Sequence, residues 1–478
     1  MNLANMIEAE ALVELKDKIS KVFFYRICGT GMGACACLLK EAGFEVSGAD
    51  QKFSPPMSTY LDSTGIECHS LDKVDAEFLK QFDLIIVGNS VPRNSEHAKL
   101  IESCGVNFTS FPTILGAYVL SEKEVIGLAG THGKTTTTFF LTQMLESLGE
   151  DTGYFIGGII DGRPPSKIGK SKFFTIESDE YDSAYFQKYS KFRQYEIDSL
   201  ILTSLEFDHA DIFSTIEDIE SEFESIIPKL EKPIVANDAY SSIHKLAKKY
   251  AQQKWHIYGE ESPLGPNNIK VLDGKSFFEM KFEEKIYSFE TNIIGTHNIL
   301  NIASCITVLR NYDFSIESIQ QAVLSLGLVK RRQEVRGKYK NSIVIDDFAH
   351  HPRAIDLTID AIKSRFPSKK VITVFEPVSA TARSNVFQNE FCESLAKSDS
   401  VIIAQSDIKT TAKESKDLDC NQLVKDLNAK GILSSTTDDL ETLIKSIDDQ
   451  QGDDSLLLIL SNRTCIGLWE SRFVDELV

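Results

Sequence analysis

Gly127–Phe140 reads GLAGTHGKTTTTFF. It holds the Gly-Lys-Thr of a phosphate-binding loop, preceded by the apolar run VIGLA and followed by a helical pattern that starts near Lys134. The usual spacing G-x-x-x-x-G-K-[ST] asks for a glycine five places before Gly133, where Leu128 stands; Gly130 lies three places before it. The context of strand, tight loop and helix therefore predicts a shorter variant of the loop. Backbone N–H groups at such a helix start cradle phosphates, and Lys134 is placed to neutralise their oxygens. Thr135 stands where the loop hydroxyl meets Mg²⁺.

Two further apolar runs in this block end in acids. SKFFTIESDEYD offers Glu177, Asp179, Glu180 and Asp182, and DSLILTSLEFDHADIF offers Glu206, Asp208, His209 and Asp211. Strand ends are where ligands bind in open α/β sheets. Hard oxygen donors there suit a metal ion between phosphates. Most of these acids read as solvated turn residues, with one ligand per strand. The stretch Trp255–Phe289 alternates polar and apolar residues and reads as antiparallel hairpins, and GTHNILNIASCITVLRNY returns to helix. There Asn298 and Asn301 share a helical face; amides so placed can read an adenine edge, while an N-cap role explains Asn298 without function.

Blocks of the same alternating type flank this one. KVFFYRICGTGMGACACLLKEAGFEVSGAD fits G-x-G-x-x-[GA] through Gly29, Gly31 and Ala34, with Asp50 following as in a dinucleotide fingerprint. FDLIIVGNS ends a further strand at Asn89 and Ser90. NAD, another nucleotide diphosphate, or simple strand-to-helix packing all satisfy this turn. The third block begins near KRRQEVRGKYKNSIVIDDFAHHP, a basic segment leading into a strand that ends in two acids and two histidines. A phosphate contact suits the basic run; His350 and His351 before Pro352 suit substrate or ribose contact better than chelation. Strands alternating with helices through all three blocks predict an α/β protein with parallel sheets.

The 478 residues, 42% hydrophobic and 25% charged, suit about three globular domains. The net charge of −19 argues against a nucleic-acid partner. No apolar run reaches membrane-span length, and the first twenty residues read as an acidic amphipathic helix rather than a signal peptide. The nine cysteines form no C-x-x-C pair, Cys35 and Cys37 are too close for a zinc knuckle, and reduced thiols in a cytoplasmic protein are the expectation.

In order along the chain, GTGMG, GTHGKTTT, ESDEYD, EFDHADIF, GTHNILN and DDFAHHP resemble the Mur ligases, the ATP-dependent amide-forming enzymes of peptidoglycan. That family's phosphate loop is a short G-T-[HN]-G-K-T, here Gly130 to Thr135. The resemblance is to the branch acting on UDP-N-acetylmuramate. Within it, ESDEYDSAYFQKYSKFRQY and LEFDHADIF are closer to the peptide-adding members than to the alanine-adding ones. It implies three domains: a Rossmann-like N-terminal domain for the UDP-sugar at 1–121, a P-loop ATPase central domain at 122–329, and a Rossmann-like C-terminal domain for the incoming amine at 330–478. It also implies a ligase that joins UDP-N-acetylmuramate to L-alanyl-γ-D-glutamyl-meso-diaminopimelate through an acyl phosphate, in peptidoglycan recycling.

Carried onto this sequence, the resemblance assigns ATP to Gly130, Thr131, His132, Gly133, Lys134, Thr135 and Thr136, with Asn298 and Asn301 at adenine, Arg331 at phosphate and Asp347 at ribose. Lys134, Glu177 and His209 are the catalytic set, and Thr135, Glu177 and His209 the Mg²⁺ ligands. Gly29, Gly31, Gly33, Asp50 and Asn89 take the UDP-sugar; His350, His351, Arg383 and Arg463 take the murein tripeptide. No lysine lies between Thr203 and Pro228, which agrees with the muramate-binding branch, since other members use a carbamylated lysine there.

Departures gather in the third block. EPVSATAR has Val378 and Ala380 where the family has an arginine and an asparagine, and SNRTCIGLW has Arg463 and Thr464 in place of two glycines. Arg26 stands where the family commonly has glycine. Arg383 or Arg463 is then expected to restore the charge lost at 378. The competing functions are L-alanine ligation and, in another class, UDP-muramate and ATP binding without ligation; an NAD oxidoreductase leaves the phosphate loop without purpose.

Overall fold

The apolar runs that end in glycine turns or acidic clusters are buried strands. The computed structural model describes residues 1–158, 163–209, 212–260, 262–379, 381–405 and 416–478; Asp211 and Ala380 lie outside the described residues. The chain forms two compact units: Met1–Glu206 with Ile219–Tyr258 and Ser304–Ala322, and Phe207–Asp218 with Gly259–Ala303 and Val323–Val478.

The first unit holds two large sheets and a two-stranded antiparallel ribbon, Asp182–Ala184 with Gln187–Ser190. One large sheet is wholly parallel, ordered Glu67–Ser70, Glu45–Asp50, Lys21–Tyr25, Leu84–Val87, Asn107–Ser110. Leu84–Val87, LIIV, is buried at every residue, as a parallel strand covered on both faces must be. Phe23, Tyr25, Ile85, Val87 and Phe108 pack in one core cluster of this sheet.

The other sheet runs Trp255–Tyr258, Ile234–Asn237, Ser199–Leu202, Glu124–Ala129, Phe173–Ser178, Gly153–Phe155, Ser166–Lys167. Its pairs are parallel except the last. Glu124–Ala129 therefore lies between the two strands that end in acids, which brings both acidic ends beside the phosphate loop. The hairpin reading of Trp255–Phe289 fails at its start: Trp255–Tyr258 pairs in parallel with Ile234–Asn237. Alternation of polar and apolar residues marks an edge strand as readily as a hairpin. At the N-terminus the helix covers only Ala9–Leu15, with a short turn at Lys16–Lys18; Leu12 is its one buried residue.

The two large sheets are tied through side chains. Ser166 Oγ donates to the Ala34 carbonyl at 2.8 Å, Ile168 N–H to Glu41 at 3.1 Å, and Tyr60 OH to the Arg163 carbonyl at 2.6 Å.

The second unit has an antiparallel meander, Asn267–Leu272, Lys275–Phe282 and Lys285–Thr291, and a larger sheet. The latter is ordered Glu334–Tyr339, Ser342–Asp347, Ser455–Leu460, Lys370–Phe375, Ser400–Ala404, Leu433–Thr437, parallel after its first pair. The period of two divides its apolar residues between two cores: Ile345, Val371, Val401 and Leu458 on one face, Val344, Ile372, Ile402 and Ile459 on the other. Each such side chain contributes about 1.5–3 kcal/mol by leaving water.

Candidate active site

In the first unit, strand Glu124–Ala129 runs into the loop, and helix Lys134–Ser147 leaves it. Gly130 takes φ 130° and Gly133 φ 84°. A Cβ on Gly130 would stand 2.6 Å from the Ser204 carbonyl oxygen, so this position needs glycine on both counts. The neighbouring strand end clamps the loop. His132 N–H donates to Ser204 Oγ at 2.7 Å, and Glu206 N–H to Thr131 Oγ1 at 2.9 Å. His132 Nε2 also lies 3.3 Å from the Glu206 carboxylate. Thr135 and Thr136 are buried in the first helical turn.

Lys134 Nζ donates to the Gly130 carbonyl at 2.7 Å and to Glu180 at 2.9 Å. Burial works against its charge, but the carboxylates of Glu180 and Asp179 outweigh that and hold the ammonium above the ordinary lysine pKa. Thr135 Oγ1 lies 2.9 and 3.0 Å from the two Glu177 oxygens, and Glu177 also accepts the Gly157 N–H at 2.9 Å. A hydroxyl against a carboxylate is a hard oxygen set, and it fits Mg²⁺.

The acids are not solvated turn residues as the sequence suggested: Glu180, Asp182 and Asp208 are all buried. Glu180 is the partner of Lys134 that the sequence motifs do not single out. Its only sequence signal was company with three other acids, while its partner Lys134 is 46 positions away.

The glycine turn of the first sheet is built for close packing. A Cβ on Gly31 would meet the Phe111 ring at 3.1 Å, and one on Gly33 would meet Met57 Sδ at 2.2 Å. Gly29 caps helix Thr30–Glu41. Asp50 accepts the Cys28 N–H at 2.9 Å and the Gln51 N–H at 2.7 Å. Asn89 is exposed just beyond strand Leu84–Val87.

In the second unit, Asn298 is not an N-cap. It sits inside the first turn of helix Thr296–Asn311 and donates to the Ile294 carbonyl at 2.9 Å. Asn301 is buried one turn on. Burial, then the Arg332 charge, pushes the pKa of His297 down to about 4, and Gln333 Nε2 lies 3.3 Å from its Nε2. Arg331, at φ 59°, donates to Asp346 at 3.1 Å and to the Ser461 and Arg463 carbonyls at 2.7 Å each. Asp347 accepts the N–H groups of Gln333 and Ala349, both at 2.8 Å.

Asp208 accepts from Thr381 Oγ1 and the His209 N–H, both at 2.7 Å, and feels the charges of His209, His351 and His350. Burial opposes its ionisation, but the three histidines hold its pKa below the usual carboxylate range. His350 Nδ1 is 3.0 Å from the Phe348 carbonyl, and the His351 ring meets Phe387 edge-on at 4.9 Å. The Arg383 carbonyl accepts the Leu418 N–H at 2.7 Å; Arg463 is exposed. Buried Glu376, absent from the motif reading, accepts from Ser461 Oγ and from the N–H groups of Cys465 and Ile466 at 3.1 and 2.8 Å. It fixes the turn that carries Arg463.

Three family models match consecutive parts of the chain: Mur ligase family, catalytic domain (21–121), Mur ligase middle domain (128–309), and Mur ligase, glutamate ligase domain (331–463). UDP-N-acetylmuramate–L-alanyl-γ-D-glutamyl-meso-2,6-diaminoheptandioate ligase of Haemophilus influenzae is 34% identical over 79% of this chain and 84% of its own. UDP-N-acetylmuramate–L-alanine ligase of Pediococcus pentosaceus is 30% identical over 81% and 85%. Among solved structures, a murein peptide ligase from Psychrobacter arcticus matches with TM-score 0.70 and 26% identity, covering 96% of this chain and 98% of its own.

Proposed function

Because the chain belongs to the Mur ligase family, we propose that it is an ATP-dependent ligase joining UDP-N-acetylmuramate to L-alanyl-γ-D-glutamyl-meso-diaminopimelate. The observation that carries this is the 34% identity to a relative named for that ligation, over 84% of the relative's length. The phosphate loop supports it by presenting Lys134, Thr135 and Glu177 together. We place the three domains at 1–121, 122–329 and 330–478, and the reaction in the cytoplasm; no described helix is long and apolar enough to cross a membrane.

In this reading the muramyl carboxylate oxygen attacks the γ-phosphorus of ATP, and the bond to ADP breaks. The peptide amine then attacks the acyl phosphate carbonyl, loses a proton, and phosphate leaves. A bare carboxylate is a poor electrophile, so ATP supplies the leaving group. The loop Gly130–Thr136 orients the phosphates at the start of helix Lys134–Ser147, and Lys134 neutralises charge on the transferring group. Thr135 and Glu177, with His209, would hold Mg²⁺, which supplies further neutralisation of phosphate oxygens. Asn298 and Asn301 take adenine, Arg331 a phosphate and Asp347 the ribose. Gly29, Gly31, Gly33, Asp50 and Asn89 take the UDP-sugar. His350, His351, Arg383 and Arg463 receive the peptide.

The similarity to an L-alanine ligase makes alanine the competing acceptor. Phosphate release from MgATP with UDP-N-acetylmuramate, run beside each acceptor and with each product weighed by mass spectrometry, separates the two. Release that depends on the tripeptide supports the reading, and release that depends on alanine replaces it. No release with either, alongside intact ATP binding, leaves a binding protein.

A further inference from the structure

Arg26 follows strand Lys21–Tyr25 directly and takes φ 71°, a left-handed conformation that a long side chain rarely adopts. Its strand has Glu45–Asp50 on one side and Leu84–Val87 on the other, so it leaves the sheet where strand order changes direction. Ligands of open α/β sheets bind at that crevice. Strain at such a position points to a function that outweighs it.

Holding Asp50 does not account for Arg26. That carboxylate already takes N–H groups at 2.7 and 2.9 Å, whereas Arg26 Nη1 approaches only to 3.4 Å. The guanidinium side chain is 17% exposed, and its buried Nε has no hydrogen-bond partner. A largely buried guanidinium with one long ion pair and an unused donor is suited to take an anion.

We propose that Arg26 is a substrate-binding residue that contacts the diphosphate of the nucleotide sugar; this rests on the reading of the first sheet as the UDP-sugar site. Arg26 supplies charge-assisted donors to the phosphate oxygens and offsets the Asp50 carboxylate, which would otherwise repel them.

The test is calorimetric binding of UDP-N-acetylmuramate, and separately of ATP, to the full chain and to R26G, R26K and R26Q, with a thermal melt of each. Glycine suits φ 71°, so a merely structural arginine predicts an unchanged or higher melting temperature with unchanged affinity in R26G. The expected result is an intact melt with affinity for the nucleotide sugar lower by about tenfold or more. ATP binding stays unchanged, the loss shrinks at high salt, and R26K recovers part of it. If R26G does not fold, R26Q, which keeps the stem and loses the charge, gives the same comparison. Equal affinity in wild type and folded variants overturns this inference alone. Absence of nucleotide-sugar binding by the wild type overturns the reading beneath it as well.

Discussion

Glu180 bridges the phosphate loop: one carboxylate oxygen lies 2.9 Å from Lys134 Nζ, and the other accepts the Gly130 N–H at 3.2 Å. The lysine and the N–H that await a phosphate are thus held by an internal anion. In the proposed reaction a phosphate of ATP would compete with this carboxylate for Lys134.

E180Q therefore destabilises the nucleotide-free protein by about 3 kcal/mol, the cost of leaving a buried charge poorly paired. Saturating MgATP recovers most of that, because phosphate replaces the missing carboxylate. Thermal melts with and without nucleotide check it; equal losses in both would sink the idea. K134A abolishes phosphate release outright.

Thr135 Oγ1 touches both Glu177 oxygens, so it orients the carboxylate as well as offering its own oxygen. T135A raises the Mg²⁺ concentration for half-maximal phosphate release by about tenfold or more, and T135S restores it. A chelator stops release in the wild type. Identical Mg²⁺ titrations for T135A and wild type would remove the metal from this pair.

His297 gives a pH signature. Its folded pKa of about 4 lies below the ordinary 6.5, so between those values the unfolded chain takes up a proton that the folded one refuses. Stability from this group is complete above about pH 6.5 and is lost as pH falls towards 4. H297Q flattens that part of the profile. Urea titrations from pH 4 to 7 read it, and parallel slopes in variant and wild type would count against it.

Glu376 binds three donors of the turn at 461–466, two of them on Cys465 and Ile466, at φ 55° and 44°. E376Q meets those N–H groups with a weaker acceptor and costs about 2 kcal/mol. The KM for the peptide rises more than that for ATP, because the turn carries Arg463 and meets Arg331 only through its Ser461 and Arg463 carbonyls. Steady-state kinetics against each substrate checks the split.

The phosphate loop was legible because its signals are local: apolar VIGLA, the glycines, and a helical run from Lys134 all lie within Val125–Phe140. The α/β class followed from the same alternation in each block. Hidden features depend on distant partners. Glu180 looked like a turn acid until the sheet placed it beside Lys134, and Asp208 until the fold brought it the charges of His209, His351 and His350. Trp255–Tyr258 misled because pattern does not tell a parallel edge from a hairpin. Asn298 misled because helix Thr296–Asn311 begins two residues earlier than its amide suggested.

The hydrogen bonds at Ser166, Ile168 and Tyr60 join the two large sheets of the first unit. The span between the glycine turn and the phosphate loop is therefore a length fixed by folding. In the proposed reaction that length would set the reach from the diphosphate of the sugar to its carboxylate.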